Sequence, residues 1–514
     1  MSPDGGPAGR PHRAPHPPAG LRRSDFRQVA RGGLGDGHNS FAHSMAWFEG
    51  KLYVGSTRSN LCMLKHQTAY TDPALEVWPV DCPDTRDQLY AHVDRRSQIW
   101  AYDPAAGSWE NVFRAPIVTG TDGTEVARDI GYRSMEVFHG SATEKPALYV
   151  STWAPGRAPG GALILRSTDG RSFVPVTPHG ITDASFSTTR SLTSFRGRMH
   201  FAPTGQRDTQ GKGDGAQQNF ARPQIYASAT PEAGNWEVVN EPAFGDPGNL
   251  GIFTLAVANG QLYAGTLNKA GLQIWASDGT PSGRGDGTYR WRKICDRGAG
   301  RGPLNQAVAS MVEFKGALYV GTGIQGGGND RVNKVGPAAA EILRVNADDS
   351  VDVIVGDRDD DAPDGREPLS GLSSGFGHFF NGYMWTMAEH EGWLYVGTYD
   401  WSVTLRWAKL ERMPEKVRAL MGRVGLEQVV AADGGADLWR SADGENWVPV
   451  CRQGFRNPYN WGIRNLVSTP AGLFVGTANV FGPTVAVKTA TGWEYRDNPD
   501  GGLEVWLGEA RVPP

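Results

Sequence analysis

Apolar and polar positions alternate along most of this chain, and one alternating stretch keeps returning. FEGKLYVGST at 48–57 is followed by PALYVSTW (146–153), FRGRMHFAPT (195–204), ANGQLYAGTL (258–267), FKGALYVGTG (314–323), HEGWLYVGTY (390–399) and PAGLFVGTA (470–478). Alternation with Val, Tyr, Trp and Gly-bearing turns is the chemistry of strands and hairpins. The surroundings of each copy recur too. SMAWFEG precedes KLYVGST, SQIWAYD follows, and after the turn PAAG comes SWENVF. Four antiparallel strands repeated radially predict the blades of a propeller. The expected fold is all-β: a seven-bladed β-propeller with four-stranded blades.

The last copy lacks a strand. NLVSTPAGLFVGTA and GLEVWLGEA supply its inner part, and no fourth strand follows before residue 514. DFRQVARGG at 25–33 lines up with NWVPVCRQG at 446–454. The N-terminal strand is therefore predicted to complete the last blade, which closes the ring and removes a free sheet edge. Residues 1–23, rich in Pro, Gly and Arg, are expected to be a disordered tail. Residues 24–514 are expected to form a single propeller domain.

Loop lengths then separate two faces. Turns such as FEGK, FKGA and ANGQ are short, whereas the loops from second to third strand are long. Insertions fall at 58–97 and 400–436, and another, GQRDTQGKGDGAQQNFARP, occupies 205–223. Residues 404–424 have apolar spacing that predicts an amphipathic helix, a candidate docking element for a protein partner. A rigid scaffold with one decorated face places function on that face.

The hairpins SADGENW, with Ser441, Asp443, Gly444 and Trp447, and STDGRSF, with Ser167, Asp169, Gly170 and Phe173, resemble the Asp-box of sialidase- and sortilin-type propellers. The resemblance implies a propeller and gives the Asp a structural role, its oxygens satisfying turn amides. The copies here are one residue shorter between Asp and Gly. Sialidases have six blades and an Arg-Ile-Pro motif absent here, so their activity is not carried over.

Alignment of the repeats puts His43, Arg133, Arg190, Phe253, Ala309, Trp385 and Arg464 at one equivalent position, just before each inner-strand core. In a closed ring, Arg464, His43, Arg133 and Arg190 form a cationic arc facing an apolar one. Such a funnel suits an anionic small molecule, because Arg pairs bidentately with carboxylate or phosphate. His43, Arg133 and Arg464 are the candidate catalytic residues, with His43 a neutral base among cations. Arg190, Phe253, Trp385, Trp153, Tyr399, Asp400 and Trp461 are the candidate substrate-binding residues.

The remaining features narrow the class. A net charge of −4 provides no field for nucleic acid, and no apolar run is long enough to span a bilayer. The N-terminal segment lacks the apolar core of a signal peptide, so a cytoplasmic monomer is the expectation. Cys62 and Cys82 share one long loop and would pair in an exported protein; free thiols are the expectation in a reducing cytoplasm. The acidic loop GDRDDDAPDGRE at 356–367 has Ala362 where an EF-hand needs Gly. It reads as a solvated loop rather than a calcium site, so no cofactor is expected. The eleven His show no H-x-H or H-E-x-x-H spacing, and no metal site is expected. The leading functional expectation is acid/base chemistry of the lyase, isomerase or cyclase type on an anionic molecule. The alternatives are a protein-interaction scaffold and a carbohydrate-binding propeller.

Overall fold

The computed structural model describes residues 19–66, 74–177, 186–206, 223–330, 333–359 and 365–510. The chain folds as successive antiparallel meanders. In unit 1, Asn39–Phe48, Lys51–Arg58, Gln98–Asp103 and Ser108–Arg114 pair in order. The inner strands of units 2 to 6 begin at Gly131, Phe186, Asn249, Ala307 and Asn381, and each leads a further meander. Unit 7 contains Gly462–Thr469, Gly472–Ala478 and Val505–Gly508, and Phe26–Ala30 pairs on its outer edge. Single inter-unit pairs stitch neighbours together, such as Thr57 with Gly131 and Tyr399 with Gly462. Ala478 pairs with Phe41, so the last unit meets the first. The fold is mostly β and propeller-like.

Packing between units explains the recurring Gly of LYVGT. A Cβ on Gly321 would lie 2.4 Å from the Met384 carbonyl oxygen in the next unit, and one on Gly265 would lie 2.4 Å from the Val308 Cβ. Only hydrogen fits where adjacent sheets approach this closely. A second device is a girdle of side-chain hydrogen bonds between inner strands. Ser44 donates to the Tyr132 carbonyl, Thr254 to Val308, Ser310 to Met384, and Asn465 to Ala42.

A third device welds the joints on the loop face. Asn39, Asn249, Asn305, Asn381 and Asn460 donate through Nδ2 to the carbonyls of Gly33, Ala243, Gly298, Gly375 and Gly454. The same amides also reach Gln98, Gln273, Glu341, Asp437 and Glu504 at the start of a third strand. The buried backbone of each joint thus has a fixed partner.

Three sequence expectations are revised. The 404–424 segment is not one helix: Ser402–Trp407 and Leu410–Arg412 are 3₁₀ turns, and α-helix runs over Glu415–Val424 and Leu426–Asp433. Pro414 has no N–H and fits only at a helix start, so the helix begins after it. Gly425, at φ 90°, separates the two helices. Within the expected tail, Gly20 and Leu21 are buried: Leu21 is 2% exposed, and its N–H donates to the Tyr395 hydroxyl; residues 1–18 lie outside the described residues. Cys62 and Cys82 are not free thiols but a disulfide, with Cα atoms 5.3 Å apart, because the helix Asn60–Lys65 folds back against the loop holding Cys82. Among the described residues no helix is long and apolar enough to cross a membrane.

Candidate functional site

Each inner strand carries a register irregularity, and in six of the seven it falls at the position that sequence alignment singled out. The breaks lie at Ala42/Ser44, Tyr132/Ser134, Ile252/Thr254, Val308/Ser310, Met384/Thr386 and Ile463/Asn465. The bulged residues are therefore His43, Arg133, Phe253, Ala309, Trp385 and Arg464. In unit 3 the break lies between Arg190 and Thr193, and Ser191 takes a φ of 53°. A bulge re-aims a side chain out of the ladder, here toward the middle of the ring.

Electrostatic coupling links the cationic side chains. Arg133, Arg190 and Arg464 come from units 2, 3 and 7, yet Arg133 is pulled well below its ordinary value by burial and then by Arg190 and Arg464. Burial brings Arg464 to about 9, with Arg190 adding to the fall. Burial brings Arg190 to about 10, opposed by Tyr383 from across the ring. All three are half-buried. Among the described residues none has a carboxylate partner, and the Nε of Arg133 and of Arg190 are buried without a hydrogen bond.

Aromatic rings hold the cations in place. The Arg133 guanidinium lies 5.0 Å from the Trp153 ring, Arg190 4.1 Å from Phe253, and Arg464 5.3 Å from Trp385. Such stacking covers the π-face and leaves the in-plane N–H groups available. His43 is 3% exposed. Its ring sits between Phe41 and Trp153, at 5.4 and 6.1 Å, and Nδ1 is engaged by the Thr57 hydroxyl. Burial, then Arg464, Arg133 and Arg190, hold it well below the usual imidazole range, so it is neutral at pH 7.

The other candidates lie behind this surface. Tyr399 and Trp461 are buried and stack edge to face at 5.2 Å, supporting Trp385 from the outside. Asp400 is not open to the funnel. It is fully buried, 3.3 Å from His378 Nδ1, and burial raises it to about 7 despite His378 and Ser402. Sequence reasoning missed Tyr383, which sits 5.9 Å from Trp385 and accepts from the Gly327 N–H, and Phe41. Each lies two residues before a funnel position; that spacing was the available signal. In the acidic loop, Asp357 is engaged by Arg301 and by the Ser374 N–H, whereas Asp360, Asp361 and Asp364 lie outside the described residues. Among the described residues no group of three His, Cys, Asp or Glu is placed to hold a metal.

A cavity of about 1080 Å³ lies outside the funnel, between the 58–97 insertion and the loops of unit 2. Its Arg157 is already paired with Asp87 and Asp122, and Arg96 with Asp94. Arg133, Arg190 and Arg464 make no ion pair with a carboxylate among the described residues, and we place the candidate site in the funnel.

No family model matches the chain, and no curated protein matches it. Among solved structures it is similar to a Mycobacterium tuberculosis puromycin-hydrolysing peptidase, with 12% identity over 97% of this chain and 56% of that one, at a TM-score of 0.42. It is also similar to a prolyl endopeptidase, with 9% identity over 87% of this chain and 45% of that one, at a TM-score of 0.36. The chain thus spans about half the length of these two. A third similarity is to the α-L-arabinofuranosidase Arb93A of Fusarium graminearum, with 11% identity over 70% of this chain and 88% of that one, at a TM-score of 0.34.

Proposed function

We propose that residues 24–514 form one seven-bladed β-propeller whose central funnel binds a small anionic molecule. The observation that carries this reading is the trio Arg133, Arg190 and Arg464: three guanidiniums facing one space, with no carboxylate partner among the described residues. Buried cations without a counter-charge are costly, and a ligand anion supplies the missing one. Phe253, Tyr383 and Trp385 offer apolar faces to the rest of the ligand.

Within this reading, His43 is the acid/base group. Thr57 fixes Nδ1, leaving Nε2 as the nitrogen that exchanges a proton with the ligand. A neutral imidazole takes the proton, and the guanidiniums stabilise the negative charge that develops. Proton transfer of this kind serves lyase, isomerase or cyclase chemistry. The scaffold alternative is less favoured, because the apolar face of Glu415–Val424 is occupied internally: Val417 and Met421 pack with Phe380 and Leu405. The disulfide supports a different compartment from the one expected. A buried Cys62–Cys82 pair fits folding under oxidising conditions rather than in a reducing cytoplasm.

The test is a thermal-shift screen against anionic metabolites, since a ligand that binds only the native state raises Tm. Hits that vanish in Arg133→Gln and Arg464→Gln support the funnel. A hit that still binds His43→Gln but is no longer turned over assigns His43 to chemistry rather than binding. A screen with no hit sensitive to the arginine variants would sink the reading.

A further inference from the structure

We propose that the funnel is built for a multivalent anion, a small molecule carrying two or more negative charges, rather than for a single carboxylate. This rests on the reading of the funnel as an anion site. Three observations carry it further. First, the cations converge from units 2, 3 and 7, so their forks approach the centre from different directions. One carboxylate has two oxygens and matches one bidentate fork; the remaining guanidiniums would stay uncompensated. Second, each guanidinium is stacked on its own ring, at 5.0, 4.1 and 5.3 Å. All three are therefore held as separate, preformed donors rather than as one flexible cluster. Third, the Nε donors of Arg133 and Arg190 are buried without a hydrogen-bond partner among the described residues.

Groups near the trio do not neutralise it. His43 adds no negative charge, Tyr383 is a phenol whose oxygen already accepts from Gly327, and Phe253, Ala309 and Trp385 are uncharged. The charge that balances the funnel must arrive with the ligand. Polycarboxylates and phosphoryl or sulfo esters both have this chemistry.

Isothermal titration of the full chain at fixed ionic strength separates the outcomes. One arm uses acetate, succinate and tricarballylate, which carry one, two and three carboxylates on an aliphatic skeleton. A second arm uses inorganic phosphate and phenyl phosphate. We expect affinity to rise about tenfold or more with each added charge. Arg133→Gln and Arg190→Gln should each lose most of the gain from the last charge. The Lys variants keep the charge without the fork, and should fall between wild type and Gln. Binding confined to one arm identifies the chemical source and supports the proposal. Equal affinity for mono- and tricarboxylate, sensitive to the Arg variants, overturns multivalency while leaving an anion site. No binding in either arm, or binding indifferent to all the Arg variants, overturns both.

Discussion

Arg133 shows how a residue can be conspicuous by what it lacks. Its guanidinium has a ring beneath it and two like charges nearby, and burial makes the absence of a carboxylate expensive. Without ligand, replacing it should relieve repulsion at the loss of one stacking contact. Arg133→Gln is expected to stabilise the ligand-free protein by about 1–2 kcal/mol, read by urea unfolding in a buffer without multivalent anions. A destabilised variant would mean that a counter-charge is already present. His200 makes the opposite case, a titratable group committed to packing. It is fully buried against Tyr289, and burial lowers it to about 4. Above pH 6.5 neither the folded nor the unfolded chain holds this proton. As pH falls below 6.5, the unfolded chain takes up a proton that the folded chain refuses until about pH 4, so stability drops across that window by roughly 3 kcal/mol. A flatter acid limb in His200→Asn, measured as Tm against pH, checks this. The funnel arginines were legible because repeat alignment assigns equivalent positions without any knowledge of contacts. Asp400 was not, because its side of the strand depends on His378, which reaches it from the preceding joint.

The strand elements were legible from alternation, yet their fastening was only half visible. The Gly of LYVGT stood out in sequence, but its reason, a neighbouring unit at 2.4 Å, belongs to packing between sheets. Gly321→Ala should therefore cost about 1–3 kcal/mol, even though Ala is otherwise the better strand residue. The hydroxyl or amide that follows each funnel position was present in SMAWF, TLAVA, SMVEF and NLVST without revealing that it bonds across to the next unit. Asn465→Ala removes the link to the Ala42 carbonyl and leaves that acceptor unpaired, at a cost of about 1–3 kcal/mol. These two substitutions lie at different interfaces, and their effects on chemical denaturation should add. The 404–424 reading failed for a local reason. Apolar periodicity continues through Pro414, but the backbone cannot, and the amphipathic pattern alone carries no information about the missing N–H.

At the scale of the whole molecule, the ring depends on two distant segments. Phe26–Ala30 pairs with Val505–Gly508, the Arg27 guanidinium meets Glu509, and Glu509 N–H donates to the Asp25 carbonyl. Phe26 and Leu21 enter the same core cluster as Trp506 and Phe455. This pairing completes the sheet of the unit that itself pairs back to unit 1 through Ala478 and Phe41. Removing residues 1–30 should leave Val505–Gly508 with an unpaired edge and expose the apolar faces of Phe455 and Trp506. Unpaired edges recruit other chains, so the shortened protein is expected to melt earlier and to self-associate, seen as a falling Tm and rising light scattering with concentration. The effect should be reversible in trans. A synthetic peptide of residues 19–33 carries Leu21, Phe26 and the Gly33 joint, whose N–H donates to the Leu503 carbonyl. Added in excess, it should restore Tm and suppress scattering, while the same peptide with Leu21→Asp and Phe26→Asp should do neither. If the shortened chain melts as the full one does, the closure lies in the units themselves, and the N-terminal strand is an ornament on a ring already shut.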